Sequence, residues 1–159
     1  MGTVQRKRPR FGDVVEIVTP KGVAYAQYTH RHTEPPRYGA LIRVLPGLHD
    51  ARPKDFSALV RQPEQFSVFF PLGAAVHRGI VTIVAHEPIP EAARPFPLFR
   101  AGIKDPSGRV RTWWVWDGQR EWRVGRLSEG QRDLPIRKVV NATMLIHLIV
   151  TRWSPRDEV

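Results

Sequence analysis

The chain has 159 residues, no cysteine and a net charge of +10, from 25 Lys and Arg against 15 Asp and Glu. That length suits one domain, and 42% apolar with 25% charged residues excludes wholesale disorder. The lack of Cys removes disulfides, thiolate nucleophiles and Cys-based zinc sites together, and it suits a reducing cytoplasm.

Residues 1–10 read as a flexible basic arm carrying Arg6, Lys7, Arg8 and Arg10. No apolar stretch follows Met1-Gly2, so no secretory leader is expected. Residues 11–159 read as a single domain. Val14 to Val18 is rich in β-branched residues and predicts a strand; Thr19-Pro20-Lys21-Gly22 predicts a turn, and Val23 to Thr29 the returning strand. Tyr38 to Leu45 predicts a third strand. Phe56, Leu59 and Val60 repeat at helical spacing between Pro53 and Pro63. Phe66 to Leu72 and Ile80 to Ala85 predict two more strands, linked by a helical turn. Residues 87–109 hold five prolines and predict a long surface excursion with little regular structure. Val110 to Trp116 and Glu121 to Arg126 flank Asp117-Gly118-Gln119-Arg120, a strong hairpin signal. Ser128 to Gln131 has capping-box spacing. Asn141 predicts the cap of a last helix with Met144, Leu145, Leu148 and Ile149 on one face, although its β-branched residues leave an edge strand open. The longest apolar run, Met144 to Val150, is broken by His147 and falls far short of the roughly 20 residues that span a bilayer. The expected fold class is α+β: a mainly antiparallel, partly curled sheet, half-open and barrel-like in its N-terminal part, with one to three short helices.

Two patches stand out. On a strand, Tyr28, His30 and His32 alternate onto one face and Tyr25, Gln27, Thr29 and Arg31 onto the other. Two imidazoles, a phenol and a guanidinium offer donors and acceptors to a partner, and the plainer reading is a polar strand end. His30 and His32 could ligate one metal, but a site needs further ligands and none lies at a telling distance, so no metal and no cofactor is expected. The second patch is the tryptophan hairpin. Trp116 opposite Glu121, Val115 opposite Trp122, Trp114 opposite Arg123 and Trp113 opposite Val124 makes one face apolar, with Trp113 and Trp122 in the core. Trp114, Trp116 and Arg123 then face outward, as Trp and Arg do at interface hot spots, unless the proline-rich excursion covers them. The chain lacks Gly-x-Ser-x-Gly, Gly-x-x-x-x-Gly-Lys and Gly-x-Gly-x-x-Gly, so catalysis is not expected. His77, His86 and His147 stand alone among apolar residues and read as packed histidines.

The segments Gly12-Asp13-Val14-Val15-Glu16-Ile17, Ala24 to His30, Tyr38 to Leu45 and Phe66 to Leu72 resemble the bacterial immunity protein 26 family. Trp113-Trp114-Val115-Trp116-Asp117-Gly118 and Glu121 to Gly125 fit the same pattern, so the resemblance covers residues 11–153. It implies a non-catalytic inhibitor that binds and neutralises a cognate bacterial toxin, with Tyr28, His30, Arg31, His32, Trp114, Trp116 and Arg123 as the candidate contacts from the patches above. A +10 chain would repel a basic partner at low salt. The toxin is then acidic or neutral, or this chain serves another use. The alternative is a nucleic-acid-binding module, with the Arg6, Lys7, Arg8 and Arg10 arm on phosphates and exposed Trp rings stacked on bases.

Overall fold

The structure, a computed structural model, describes residues 8–158. Eight strands run antiparallel in two sheets. β1 (Asp13–Thr19) and β2 (Gly22–His32) form the first hairpin, with Thr19 opposite Gly22 and Gly22 at φ +130°, the positive angle that this tight turn requires. β3 (Gly39–Val44), β4 (Phe66–Phe69) and β5 (Thr82–His86) complete a five-stranded sheet in the order β4-β3-β2-β1-β5. It is open, since β4 and β5 are its two edges. One bulge leaves Val84 of β5 unpaired opposite Val14/Val15 and another leaves Thr29 of β2 unpaired between Tyr28 and His30, and bulges of this kind sharpen local twist.

One face of this sheet carries Val15, Ile17, Ala24, Ala26, Tyr28, Ile42, Val44 and Val68. It is covered by α2 (Leu72–His77) and α3 (Ala142–Val150) through Leu72, Ala75, Leu145, Leu148 and Ile149. The last segment is therefore a helix, not an edge strand. The Asn141 side chain accepts from the Met144 N–H at 2.8 Å, which caps it as the sequence implies. Met144, predicted on the buried face, is 43% exposed instead, one position round the helix from Leu145.

The opposite face is shared. At the β1–β2 end, α1 (Ser57–Val60) and Phe56 pack on Val14, Tyr25 and Leu45. At the β3–β4 end, Leu41 and Phe69 meet Phe99 and Trp116 of the second sheet. That sheet is β6 (Phe99–Ala101), β7 (Trp113–Trp116) and β8 (Glu121–Gly125), in that order. β6 lies inside the stretch expected to be irregular. Phe99 pairs with Trp116 and Ala101 with Trp114, so the proline-rich excursion is stitched into the sheet rather than left on the surface. Among the described residues no helix is long and apolar enough to cross a membrane.

Between the two clusters on the shared face lies a buried polar stripe. Arg43 is 2% exposed and Gln27 is fully buried. Arg43 Nη1 donates to Gln27 Oε1 (2.9 Å) and to the Val60 carbonyl (3.0 Å), and Nη2 donates to the Gln62 carbonyl (2.7 Å). Gln27 in turn donates to the Glu87 carbonyl at 2.9 Å. The network ties the end of α1 and the exit of β5 to the sheet.

At the rim, Tyr25 donates its hydroxyl to Glu16 Oε2 at 2.9 Å, and Arg52 holds the same carboxylate at 2.7 Å. Burial, reinforced by that bond to Glu16, pushes the Tyr25 phenol up to about 12. A folded value raised above the ordinary 10.0 contributes stability that is complete below pH 10 and is lost as pH rises toward 12. Spectrophotometric titration of the wild type against Tyr25→Phe should therefore remove a transition near pH 12 from the wild-type curve. A wild-type curve with every tyrosine ionising near pH 10 would contradict the buried Tyr25–Glu16 bond.

Candidate binding surface

The bulge in β2 changes what its polar end presents. Tyr28 pairs with Ile42, but His30 pairs with Leu41 and His32 with Gly39, so one residue is skipped at Thr29. Residues directly opposite share a face. His30 and His32 therefore join Leu41 on the shared face, and Tyr28 stays on the other. The expected grouping of Tyr28, His30 and His32 is thus broken, because alternation holds only where the ladder is uninterrupted.

Each of these side chains is used internally. Tyr28 is 5% exposed and packs on Phe11 at 4.9 Å between centroids. His30 Nε2 donates to the Arg94 carbonyl at 2.7 Å, which anchors the proline-rich excursion on β2. His32, 8% exposed, donates from Nε2 to the Gly118 carbonyl at 2.9 Å and accepts the Tyr38 N–H at Nδ1. A carbonyl can only accept, so this pair of bonds assigns the neutral Nε2–H tautomer. The imidazoles are clamps that bind the second sheet to the first. Arg31 alone of this patch points into solvent.

The tryptophan hairpin has the expected register at three pairs: Trp116 opposite Glu121, Val115 opposite Trp122 and Trp114 opposite Arg123. Trp113 pairs with Gly125 rather than Val124. Through those three pairs the faces are as expected, but their burial is not. Trp116 is 5% exposed, because Phe96 from the excursion, Tyr38, Phe99 and His32 enclose its ring at 4.9–5.9 Å. Gly118 lets Phe96 lie there: a Cβ at this position would come within 2.9 Å of that ring. Trp122, expected in the core, is 42% exposed. The solitary histidines also differ from expectation. His77 and His147 are exposed, and His86 pairs with Asp13 at 2.8 Å.

Of the candidate contacts on this hairpin, Trp114 and its cross-strand partner Arg123 remain on the surface. Trp114 forms one wall of a groove of about 930 Å³ beside Ile103, Val110, Lys104, Arg137 and Lys138. Ile103 is 92% exposed. The charged rim is internally matched: Lys104 to Glu158 at 2.9 Å, Arg111 to Asp105 at 3.1 Å, Arg137 to Glu121 at 2.9 Å. The Ser107 hydroxyl and the Arg109 N–H hold the Asp105 carboxyl below the usual carboxylate range. An apolar centre inside a polar rim is the anatomy of a recognition surface.

No family model matches the chain, and comparison with curated proteins and with solved structures finds no match.

The structure thus separates the sequence candidates. Trp114 and Arg123 come together; Arg31 is exposed on the other sheet; Tyr28, His32 and Trp116 are buried, and His30 is half-buried. Arg8 and Arg10 are exposed, although the Arg10 backbone is held by Asp13 at 2.8 Å, and Arg6 and Lys7 lie outside the described residues. The sequence reading missed Ile103, Lys104 and Arg137, which reach the groove from a loop and from a segment after β8. No periodicity marks such residues. Among the described residues no group of three or more His, Asp or Glu side chains converges as a metal site would.

Proposed function

We propose that the chain is a non-catalytic, cytoplasmic immunity protein that binds and neutralises a cognate bacterial toxin, with Trp114 and Arg123 at the centre of its binding face. The observation that carries this reading is an exposed indole at the wall of a groove with a charged rim, Trp114, with the exposed Arg123 as its cross-strand partner. Rigid aromatic and Arg anchors of this kind dominate interface energetics. The net charge of +10 favours a partner with an acidic surface. The nucleic-acid alternative loses Trp116, which is buried, although Trp122 is 42% exposed.

Co-expression with the toxin encoded beside its own gene tests the proposal. The wild type should restore growth and form a stoichiometric complex. Trp114→Ala should weaken that complex by about 2 kcal/mol, near 30-fold, without loss of folding. Deletion of residues 1–10 should leave binding intact. A complex indifferent to Trp114→Ala and Arg123→Ala would overturn the assignment of this face. Binding of nucleic acid that falls steeply with salt and requires residues 1–10 would favour the alternative.

A further inference from the structure

Adjoining the groove, and sharing Val110, Arg111, Trp113 and Glu158 with it, is a second pocket of about 330 Å³. Five arginines line it: Arg100, Arg111, Arg126, Arg132 and Arg156. They arrive from distant parts of the chain. Arg100 is on β6, Arg126 follows β8, Arg132 lies in a 3-10 turn (Gly130–Asp133) and Arg156 in another (Pro155–Asp157). The charge is only partly neutralised. Arg111 is held by Asp105 at 3.1 Å, and Arg156 by Glu129 at 2.8 Å and Asp133 at 2.5 Å. Glu158, the lining carboxylate, already faces Lys104 at 2.9 Å and Lys138 at 3.8 Å. Among the described residues no carboxylate pairs with Arg100, Arg126 or Arg132.

Arg100 makes this more than a basic patch. It is 1% exposed, lies over the Trp113 ring at 4.6 Å, and donates through Nη2 to the Pro155 and Glu158 carbonyls. Its Nε is buried without an acceptor. Taking a guanidinium out of water without a carboxylate in direct contact is costly, and an orphaned buried donor calls for an explanation. Burial lowers the Arg100 pKa; Glu158 opposes this, the neighbouring Arg132 adds a weaker repulsion, and Asp133 a weaker attraction still.

We propose that this pocket binds the phosphate group of a small phosphomonoester. A phosphate dianion answers the unpaired guanidinium charge, and its oxygens match the guanidinium fork better than a single point charge would. Phosphate alone underfills the volume, so Trp113, Leu127 and Val110 would contact the group attached to it. The site is distinct from the Trp114–Arg123 face and does not depend on its role.

Calorimetric titration of the full chain with inorganic phosphate, adenosine 5′-monophosphate and adenosine tests this. Phosphate and the monophosphate should bind saturably and adenosine should not. Arg126→Gln and Arg132→Gln, both at exposed side chains, should each weaken binding about tenfold or more and leave the melting temperature unchanged. Arg120→Gln in the β7–β8 loop makes the same charge change away from the pocket and should bind as the wild type does. Equal loss in Arg120→Gln, equal binding of adenosine, or no saturable binding would overturn the proposal. So would an oligonucleotide that binds tightly whether or not it carries a 5′-phosphate, since that locates affinity along a nucleic-acid backbone.

Discussion

Trp116→Ala should destabilise the protein by about 3–5 kcal/mol, the range for a large aromatic removed from a packed site. Its ring stands where the two sheets meet. Phe99 and Phe96 come from the excursion, Tyr38 and His32 from around β2 and β3, and Phe69 from β4. Arg137 lies over the indole at 5.3 Å. Truncation leaves a cavity shared by both sheets, which cannot collapse without moving one of them. For a chain of this size each kcal/mol shifts the midpoint by about 2–4 °C, so a loss of about 6–20 °C is expected. Trp114→Ala, at a 37% exposed site in the adjacent groove, should cost under about 1 kcal/mol. Denaturant unfolding of the two variants side by side makes the comparison. Near-equal losses would mean that Trp116 does not join the sheets.

The second large effect is at Arg43. Alanine there leaves Gln27 Oε1 and the Val60 and Gln62 carbonyls without their donor, in a site where Arg43 itself is 2% exposed. Each buried acceptor left alone costs about 1–3 kcal/mol, and breaking a buried charged network as a whole costs about 3–5 kcal/mol. Arg43→Met separates volume from hydrogen bonding. It refills the space but supplies no donor, so it should recover only part of the loss. If Arg43→Met equalled the wild type in equilibrium unfolding, the polar stripe would contribute nothing net. Glu64, 3.5 Å from Arg43 Nε and half-exposed, should matter far less when changed to Gln.

Local chemistry was legible wherever neighbouring residues settle the outcome. Thr19-Pro20-Lys21-Gly22 sets the first hairpin, Asp117-Gly118 sets three pairs of the last one, and Asn141 caps α3. The resulting α+β, mainly antiparallel architecture follows from those units. The helix around Leu59 is shorter than its apolar spacing suggested, four residues closed off before Pro63. The site was legible in part: Trp114 and Arg123 were placed together by register alone.

Everything that depends on coverage escaped. Strand alternation states which side chains share a face, but it does not say what lies against that face. Trp116 and Trp122 exchanged their expected burial because Phe96, some twenty residues upstream, folds over one, while the other stays 42% exposed. Thr29 broke the alternation of β2, sending His30 and His32 inward as clamps. Arg43 and Arg100 each interrupt an apolar strand, which was their only signal, and most of their hydrogen-bond acceptors are backbone carbonyls from elsewhere in the chain. Turns, caps and register thus follow from residues adjacent in sequence. Burial, the polar stripe and the arginine pocket were decided by segments that meet only in the folded protein, because desolvation is a property of everything surrounding a side chain.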